Sequence, residues 1–463
     1  MNNKVAETRA KYFVKDGVAV VGGMNSELQK VPRGYIQSEV GIVPADWQVL
    51  DISQFSKTGS GTTPSRAQEE RYFRNGETHW VKTTDLNNSV VANTEDMVTD
   101  LAVKETCLQV YPIGTVLVAM YGGFNQIGRT GLLSIPAAVN QALVAVQVNK
   151  HVDSRYLLNM LNYKVEYWKS VASSSRKDPN ITSSDVKNFK LALPKLRQEQ
   201  TAIANALSDV DALITSLEKL IAKKRAIKTA TMQQLLTGKK RLPPFDILNN
   251  KDGTPRYKQT EVGEIPEDWD VVGLGFLFES NINRRRLSGQ DDVTFVGMQD
   301  VTEGARIASS HKIKYAEIKS GFTYFEKNDV LVAKITPCFE NGKGGYADVI
   351  ATQVGFGSTE FHVLRAKAGV DSKYLYYFTN TTRFRSELEG EMVGSAGHRR
   401  VPFSSLQKYR ITVTLNPREQ SAIANVLSDI DKEIDALENR LSKTQQLKQG
   451  MMQELLTGRT RLL

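Results

Sequence analysis

Cysteine and histidine are scarce in this chain, and long apolar runs are missing. The two cysteines, Cys107 and Cys338, lie in different halves, so they offer neither a disulfide framework nor metal-ligand spacing, and the five histidines form no ligand cluster. No apolar run is long enough to span a bilayer, and residues 1–4 lack the apolar core of a signal peptide. These absences predict a cytoplasmic protein with no metal site.

Recognisable catalytic motifs are also missing. Asn341–Gly344 lacks the upstream glycine spacing and the Ser or Thr after lysine that a phosphate-binding loop needs. Leu242–Phe245 has leucine where an amino-methyltransferase needs a side chain that binds the target amine, and no nucleophilic triad is visible. We therefore expect no catalytic residues and predict a binding protein rather than an enzyme. The alternative is a single-chain DNA methyltransferase or nuclease with a degenerate catalytic motif.

Positive charge exceeds negative charge, and the formal net charge is +9. A polyanion is the natural partner for such an excess, because each phosphate contact releases counterions. A basic protein that binds no nucleic acid has the same composition, so charge alone leaves both possibilities open.

The chain contains an internal repeat. Gly34–Trp47 recurs as Arg256–Trp269 with Tyr, Gln, Glu-Val-Gly, Pro and Asp-Trp at matching positions. Half of the positions in 197–242 are identical to those in 417–462. A repeat with these two widely separated anchors indicates that one structural unit has been duplicated.

The two copies agree at their ends and differ in their middles, since residues 51–150 barely align with residues 271–368. A duplicated structural protein would be expected to drift more evenly, so we interpret the pattern as two domains that do the same job on different targets. The predicted segments are an N-terminal extension (1–33), a globular domain (34–196), a long helix (197–238), a linker (239–255), a second globular domain (256–416), a second long helix (417–458) and a tail (459–463).

Each repeat ends in a segment with the pattern of a long amphipathic helix. Nothing breaks a helix from Arg197 to about Leu236, and apolar residues recur at alternating spacings of three and four, the a/d seam of helices that pack side by side. Each stripe then turns polar, and Gly238 and Gly458 are expected to cap the helix ends. The seam consists of Ile203, Leu207, Val210, Ile214, Leu217 and Ile221 in the first helix and Ile423, Leu427, Ile430, Ile434, Leu437 and Leu441 in the second.

A helix of this length, about 55–60 Å, cannot bury its apolar stripe alone. We expect the two helices to pack on each other; the alternative is that each lies on its own domain. In the domains, Gly114–Ala119 and Asp329–Ala333 are predicted strands, and Arg155–Lys169 and Lys373–Glu387 are predicted helices. The predicted fold class is α+β, with two globular α/β domains in tandem, separated by two long helices packed as an antiparallel coiled coil with pseudo-two-fold symmetry.

Polar, glycine-rich loops interrupt both predicted domains. They combine flexible backbone with Arg, Lys, Asn, Gln and Ser, the residue types that contact phosphates and base edges. Any one of these loops can be simply a solvated turn. Basic loops in both domains together favour a nucleic-acid interface.

Several motifs resemble those of the specificity (S) subunits of type I restriction-modification systems. They are the paired segments Tyr35–Trp47 and Tyr257–Trp269, the Glu-Gln-x-Ala-Ile-Ala-Asn-x-Leu-Ser-Asp helix starts and the Leu-Leu-Thr-Gly-x-x-Arg-Leu helix ends. Two sets of segments also look like recurrent recognition-domain types: Trp80–Asp85, Ala119–Gly122 and Asn140–Gln141 in the first domain, and Ala333–Lys343 with Gly355–Phe361 in the second. The resemblance extends from about Val31 to the C-terminus.

The resemblance implies two target-recognition domains that each read one half of a bipartite, asymmetric double-stranded DNA target. The helices would set the spacer and dock two modification subunits. It also implies that this chain binds no cofactor: S-adenosylmethionine and adenine N6 methylation belong to the modification (methyltransferase) subunits, and ATP and Mg to separate restriction (translocase/nuclease) subunits. A coiled-coil scaffold that binds no DNA is the remaining alternative.

The loop residues chosen as DNA contacts are those whose side chains suit phosphates or base edges. Thr336, Pro337 and Glu360 are expected to hold a loop instead. The predicted DNA contacts are Thr62, Ser65, Arg66, Lys82, Thr84, Tyr121, Asn125, Arg176 and Lys177 in the first domain, and Arg284, Arg285, Arg286, Lys334, Asn341, Lys343, Ser358, Thr359, His398, Arg399 and Arg400 in the second.

Overall fold

The computed structural model describes residues 11–15, 18–22, 31–123, 125–172, 180–246, 256–395 and 397–462. The helices are α1 (Ile52–Phe55), α2 (Glu69–Tyr72), α3 (Asp100–Glu105), α4 (Ser154–Tyr163), α5 (Val165–Ala172), α6 (Ser183–Lys187), α7 (Arg197–Leu235), α8 (Ser372–Thr379), α9 (Thr382–Gly390), α10 (Phe403–Lys408) and α11 (Pro417–Leu455).

The strands before α7 are β1 (Lys11–Lys15), β2 (Val18–Gly22), β3 (Tyr35–Ser38), β4 (Gly41–Pro44), β5 (Gln48–Asp51), β6 (Ser56–Ser60), β7 (Thr78–Val81), β8 (Ser89–Val91), β9 (Asp96–Val98), β10 (Val110–Tyr111), β11 (Val116–Ala119), β12 (Thr130–Leu133), β13 (Ala137–Val139), β14 (Leu143–Val148) and β15 (Lys190–Leu193). Those after α7 are β16 (Tyr257–Thr260), β17 (Gly263–Pro266), β18 (Asp270–Gly273), β19 (Asp292–Val296), β20 (His311–Lys314), β21 (Thr323–Glu326), β22 (Val330–Ala333), β23 (Gly344–Tyr346), β24 (Val354–Gly357), β25 (Phe361–Leu364) and β26 (Arg410–Val413).

The chain divides into two compact units, and each unit contains part of both long helices. The first unit consists of residues 1–216 and 441–463, and the second of residues 217–440. The sequence instead predicts one whole helix at the end of each repeat. It also predicts a linker at 239–255, whereas Leu242 packs against the core of the second unit and Arg241 is ion-paired there.

The first unit contains a five-stranded sheet in the order β6-β14-β11-β12-β8 and a four-stranded sheet in the order β10-β13-β7-β9. All four residues of β11 are buried, in agreement with the prediction of a buried strand in this segment. The main core gathers side chains of β11 and β14, α4, the start of α7 and the end of α11, so both helix segments belong to this core.

The second unit contains a four-stranded sheet in the order β20-β19-β24-β21 and a three-stranded sheet in the order β23-β22-β25. Strand β22 is fully buried, as expected for this apolar segment. Its core combines α8, the end of α7 (Met232, Leu235, Leu236) and the start of α11 (Ile423, Leu427).

Two predicted single helices are each divided in two. The segment predicted as Arg155–Lys169 forms α4 and α5, and the segment predicted as Lys373–Glu387 forms α8 and α9. In the second case the hydroxyl of Thr381 accepts a hydrogen bond from the backbone amide of Phe384, which begins a new helix there. The amphipathic period continues through both segments, and so it did not reveal the breaks.

The long helices begin where the sequence places them and end slightly earlier than expected. Leu235 and Leu455 are the last helical residues, and Gly238 and Gly458 follow with φ of 70° and 71°. Their amides donate to the carbonyls of Leu235 (3.4 Å) and Leu455 (3.2 Å), so these glycines do close the helix ends. All of the predicted seam residues are buried or half-buried.

Ion pairs join the two long helices inside each unit. In the second unit Lys228 pairs with Asp431 (2.7 Å), and one turn earlier in α7 Lys224 pairs with Glu433 (2.5 Å). A residue earlier in α7 thus pairs with one later in α11, so these two segments run antiparallel. In the first unit Lys448 pairs with Asp211 (2.6 Å). Lys224, Lys228 and Lys448, at which the apolar stripes turn polar, are therefore each paired with a carboxylate of the other helix.

Arg241 ties the end of α7 to the start of α11 in the second unit. Its guanidinium donates to both carboxylate oxygens of Asp268 (2.9 Å each) and to both of Glu419 (2.8 and 2.9 Å). Glu419 is only 1% exposed and also accepts a hydrogen bond from Trp269 Nε1 (3.3 Å). We call these four residues the second staple.

The first unit repeats this arrangement with the other helix end. Arg461, beyond the end of α11, donates to Asp46 (2.9 and 2.8 Å) and binds buried Glu199 at the start of α7. The hydroxyl of Tyr35 donates to the carbonyl of Gly458 (2.9 Å). The matching ends of the repeats are thus contact surfaces, which explains why they resemble each other while the middles do not.

Replacing Gly450 by alanine is expected to stabilise the protein. Gly450 lies in α11, the first helix has Ala230 at the matching position, and nothing lies within 4 Å of an added Cβ. We expect the free energy of unfolding to rise by about 0.5–1 kcal/mol, measured by urea unfolding. Gly458→Ala should instead destabilise, because φ is +71° and the added Cβ would press on the Pro44 ring. Equal effects of the two changes would contradict this explanation.

Candidate nucleic-acid interface

Four loops of the first unit meet at one end of its two larger sheets. Strands β6 and β11 both pair antiparallel with β14, so they run in the same direction and end at the same edge. Strands β7 and β13 are parallel and also end there, because the Thr62 amide donates to the Val139 carbonyl (3.1 Å) and the Asn140 amide to the Val81 carbonyl (3.0 Å). We call residues 61–68, 82–85, 120–123, 125–129 and 140–142 the first loop edge.

Side chains link these loops further. Trp80 Nε1 donates to the carbonyl of Thr62 (3.2 Å), and the hydroxyl of Thr63 donates to the side-chain oxygen of Gln141. The Met120 amide donates to the Ala142 carbonyl (2.8 Å). The first loop edge is therefore one connected surface rather than a set of independent turns.

Two cations of the first loop edge share one carboxylate. Asp96, the first residue of β9, binds Arg66 and Lys82 (2.9 Å for Lys82), and Lys82 also binds Glu95 (2.8 Å). The Arg66 guanidinium lies 3.9 Å from the ring centre of Phe73. Burial raises the pKa of the Asp96 carboxyl, but its hydrogen bonds with the two cations outweigh that effect and the pKa lies below its ordinary value. These ion pairs therefore persist at neutral pH and weaken as the pH falls through the acidic range, where Asp96 is protonated.

The structure brings together most of the residues predicted as DNA contacts in the first domain. Arg176 and Lys177 lie outside the described residues. Sequence reasoning left Thr63 and Gln141 out of the predicted contacts, although Gln141 lies two residues before β14, a position that could have identified it. The predicted contacts at the first loop edge are Thr62, Ser65, Arg66, Thr84, Tyr121 and Asn125, all exposed, and Lys82, which is half-buried.

A comparable edge forms in the second unit. Strands β19 and β24 are parallel and end together, with the Ser358 amide donating to the Val296 carbonyl (3.2 Å). The end of β22 lies opposite the start of β25, and the Lys334 amide donates to the Glu360 carbonyl (2.9 Å). The Thr336 amide donates to the Arg399 carbonyl (3.0 Å). We call residues 297–300, 334–343, 358–360 and 398–401 the second loop edge.

Carboxylates also hold cations at the second loop edge. Arg400 donates through Nε (2.9 Å) and Nη2 (2.8 Å) to the two oxygens of Glu360, and the Arg399 guanidinium lies 3.5 Å from Glu340. The hydrogen bond with Arg400 lowers the pKa of the Glu360 carboxyl against the opposing effect of burial. The hydroxyl of Thr336 donates to Glu340 (2.7 Å), so Thr336 and Glu360 have partners within the edge, as expected for residues that hold a loop.

One predicted group lies elsewhere in the second unit. Arg285 pairs with Glu326 (2.8 Å), the last residue of β21, which lies opposite Val354 at the start of β24. Arg284–Arg286 are therefore at the other end of the sheet from Ser358, because β21 and β24 are antiparallel. The remaining predicted contacts are at the second loop edge: Lys334, Asn341, Lys343, Ser358, Thr359, His398, Arg399 and Arg400.

The described residues contain no group of three or more His, Cys, Asp or Glu side chains that could hold a metal ion. Within the same part of the chain, no helix is both long and apolar enough to cross a membrane. Cys107 and Cys338 are both free. Two related units, each with a polar loop edge on a mixed sheet framework, define a duplicated α+β protein.

Comparison with known proteins shows which family this is. Residues 44–228 and 266–449 match the family described as type I restriction modification DNA specificity domain. The chain therefore belongs to that family, whose members are the specificity subunits of type I restriction enzymes. Specificity subunits of these systems are non-catalytic.

Individual relatives agree with this result. The chain is 23% identical over 441 residues to the putative type I restriction enzyme MjaX specificity subunit of Methanocaldococcus jannaschii, covering 93% of this chain and 97% of that protein. It is 31% identical over 199 residues to the Escherichia coli EcoEI specificity subunit, a match covering 42% of this chain but only 33% of that protein. The structure of a type I S subunit from M. genitalium has the same fold, with a TM-score of 0.55, 13% identity and coverage of 88% and 96%.

Proposed function

We propose that this chain is the DNA-recognition subunit of a type I restriction-modification complex, in which each loop edge reads one half of a bipartite, asymmetric target. The observation that carries the proposal is the pair of loop edges. Both stand on a repeated framework, yet they present different side chains, which is what reading two different half-sites requires. The net charge of +9 favours the same partner, since non-specific affinity for DNA comes from phosphate contacts.

The long helices are proposed to pack along their whole length as an antiparallel coiled coil with pseudo-two-fold symmetry. The antiparallel ion pairs inside the second unit support this arrangement, as do the second staple and the matching contacts of Arg461 with Asp46 and Glu199 in the first unit. In the proposed complex the coiled coil sets the distance between half-sites and docks two modification subunits. Those subunits supply S-adenosylmethionine and adenine N6 methylation, and restriction subunits with ATP and Mg complete the complex.

Reconstitution tests the proposal directly. The purified chain is incubated with DNA and S-adenosylmethionine, with and without the modification subunit of the same system, and methylated adenines are mapped. We expect methylation at one split sequence, and only when both proteins are present. Methyl transfer by the chain alone would support the methyltransferase alternative. Absence of any specific footprint with the modification subunit present would support a scaffold that binds no DNA.

Replacing Arg400 by alanine is expected to weaken binding to the second half-site. Arg400 is exposed at the second loop edge, and a bidentate arginine contact to a guanine or a phosphate would be lost. We expect affinity for the mapped target to fall roughly ten- to hundredfold, and Arg399→Ala to act in the same direction. The measurement is duplex binding by the reconstituted complex at one fixed salt concentration.

Two controls locate the effect. Arg383→Ala removes an arginine of α9 that is paired with Glu387 (2.7 Å) outside the second loop edge, and it should leave affinity unchanged. In addition, the loss caused by Arg400→Ala should shrink when the second half-site is scrambled, but persist when the first is scrambled. Unchanged affinity of the Arg399 and Arg400 variants would remove both residues from the interface.

A further inference from the structure

Cations at both loop edges are already bound to carboxylates of the same edge or of an adjoining strand. Arg66 and Lys82 share Asp96, and Arg400 is held by both oxygens of Glu360. Nothing in the proposed function requires acidic residues here. A carboxylate beside bound DNA repels phosphate, so these groups lower affinity unless they serve another purpose.

The geometry indicates what that purpose is. The side chain of Asp96 is 23% exposed and its Oδ2 atom binds two cations from different loops, so both cation heads are positioned before DNA arrives. Exposed or partly exposed ion pairs are weak, and a base edge is neutral, so a well-placed base edge can join or replace the pair without being repelled by the carboxylate. A phosphate that merely passes by must first separate a cation from its carboxylate. Carboxylates also accept hydrogen bonds from the amino group of cytosine.

We propose that Asp96 and Glu360 are specificity-determining residues. Each carboxylate keeps the cations of its loop edge paired, so that they do not bind non-target phosphates, and releases them only when the correct half-site is bound. The proposal rests on the proposed function, because it assumes that the loop edges bind DNA. Discrimination between sites is then raised by weakening the wrong complex, not only by strengthening the right one.

Asp96→Asn tests this for the first loop edge. The change keeps the side-chain shape but releases Arg66 and Lys82 from Asp96, so that each cation keeps only an exposed carboxylate partner, Glu69 or Glu95, and is more available to phosphates. For a random-sequence duplex, we expect the reconstituted complex to bind roughly tenfold more tightly at low salt, with a salt dependence steeper by about one to two ions. Affinity for the mapped target should change less, so the ratio of target to non-target affinity falls. Glu360→Gln should act likewise at the second edge, with about one additional ion.

Asp292→Asn is the matched control. Asp292 also binds two cations, Lys312 and Lys314 at 2.8 Å each, but it is the first residue of β19 and thus lies at the end of the sheet away from the second loop edge. Its removal changes the net charge by the same amount. We expect its target ratio and salt dependence to match those of the unmodified complex.

The outcomes distinguish a failure of this inference from a failure of the proposed function. If Asp96→Asn and Asp292→Asn tighten non-target binding equally, total charge explains the effect and the inference is overturned. An unchanged salt dependence in both Asp96→Asn and Glu360→Gln overturns it as well. If the unmodified complex itself binds no target, the proposed function fails first. Should Asp96→Asn not fold, Glu95→Gln removes one of the two carboxylates that bind Lys82 and is expected to give a smaller shift in the same direction.

Discussion

Replacing Arg241 by methionine is expected to lower the free energy of unfolding of the second unit by about 3–5 kcal/mol. The change leaves Glu419 with an ionised carboxylate that is 1% exposed and has lost its cationic partner. Methionine preserves most of the side-chain volume, so the loss reports the uncompensated charge rather than a cavity. The reason for the large effect is that a carboxylate removed from water must be paired or neutralised.

Trp269 provides the measurement. It is the only tryptophan in residues 217–440, and its indole nitrogen donates to Glu419 (3.3 Å). Fluorine NMR of 5-fluorotryptophan-labelled protein in increasing urea, with the Trp269 signal assigned through Trp269→Phe, follows the second unit specifically. The midpoint for Arg241→Met should move to much lower urea, while signals from Trp47, Trp80 and Trp168 of the first unit serve as an internal reference.

The control is Arg383→Met, which removes an exposed arginine paired with Glu387 in the same unit. We expect a change of less than about 1 kcal/mol. Combining Arg241→Met with Glu419→Gln should recover part of the lost stability, since the buried charge is then gone. If the two single variants behave alike, the second staple is no stronger than a surface ion pair. Arg461→Met makes the equivalent test on the first unit, where Glu199 takes the place of Glu419.

Gly61→Ala is expected to destabilise the first unit by about 2–3 kcal/mol and to abolish selection of the first half-site. A Cβ at Gly61 would overlap the backbone carbonyl of Val139, which accepts the hydrogen bond from the Thr62 amide. Backbone atoms of β13 cannot move aside as a flexible side chain can. The loop carrying Thr62 and Arg66 must therefore separate from β13, which divides the first loop edge.

Calorimetry and DNA binding measure the two parts of this prediction. The transition of the first unit should move to lower temperature, and affinity for the mapped target should become insensitive to scrambling of its first half. Selection of the second half should persist, because the second loop edge is unchanged. Gly450→Ala is the matched control, a glycine of the same unit where an added Cβ meets open space. Normal reading of the first half-site by Gly61→Ala would remove this loop from the interface.

Local sequence pattern was enough to predict the long helices, their start, their apolar seam and their glycine ends. These features depend on interactions between residues three or four positions apart, so the sequence pattern alone is enough to predict them. The same is true of the buried strands β11 and β22. The division of α4 from α5 and of α8 from α9 was missed because the amphipathic period runs on past the break.

For the candidate site too, the sequence indicates which residue types are suitable, whereas only the tertiary structure shows where they lie. Residue type selected Arg66, Lys82 and Arg400, which lie at the loop edges, but it selected Arg285 equally. Only the antiparallel pairing of β21 with β24 shows that Arg285 and Ser358 lie at opposite ends of the sheet. The carboxylate partners, Asp96 and Glu360, were not selected as contacts, because acidic residues do not by themselves indicate an anion-binding surface.

The sequence alone determined that this protein is a duplication with a repeated frame, variable middles and two long helices, because similarity and periodicity are properties of the linear chain. The tertiary structure decided what the repeated ends are for. In each unit the Tyr-to-Trp segment of one copy holds the helix end of the other copy, through Arg241 in one unit and Arg461 in the other. Such partners are far apart in sequence, and only packing brings buried charges together with the groups that neutralise them.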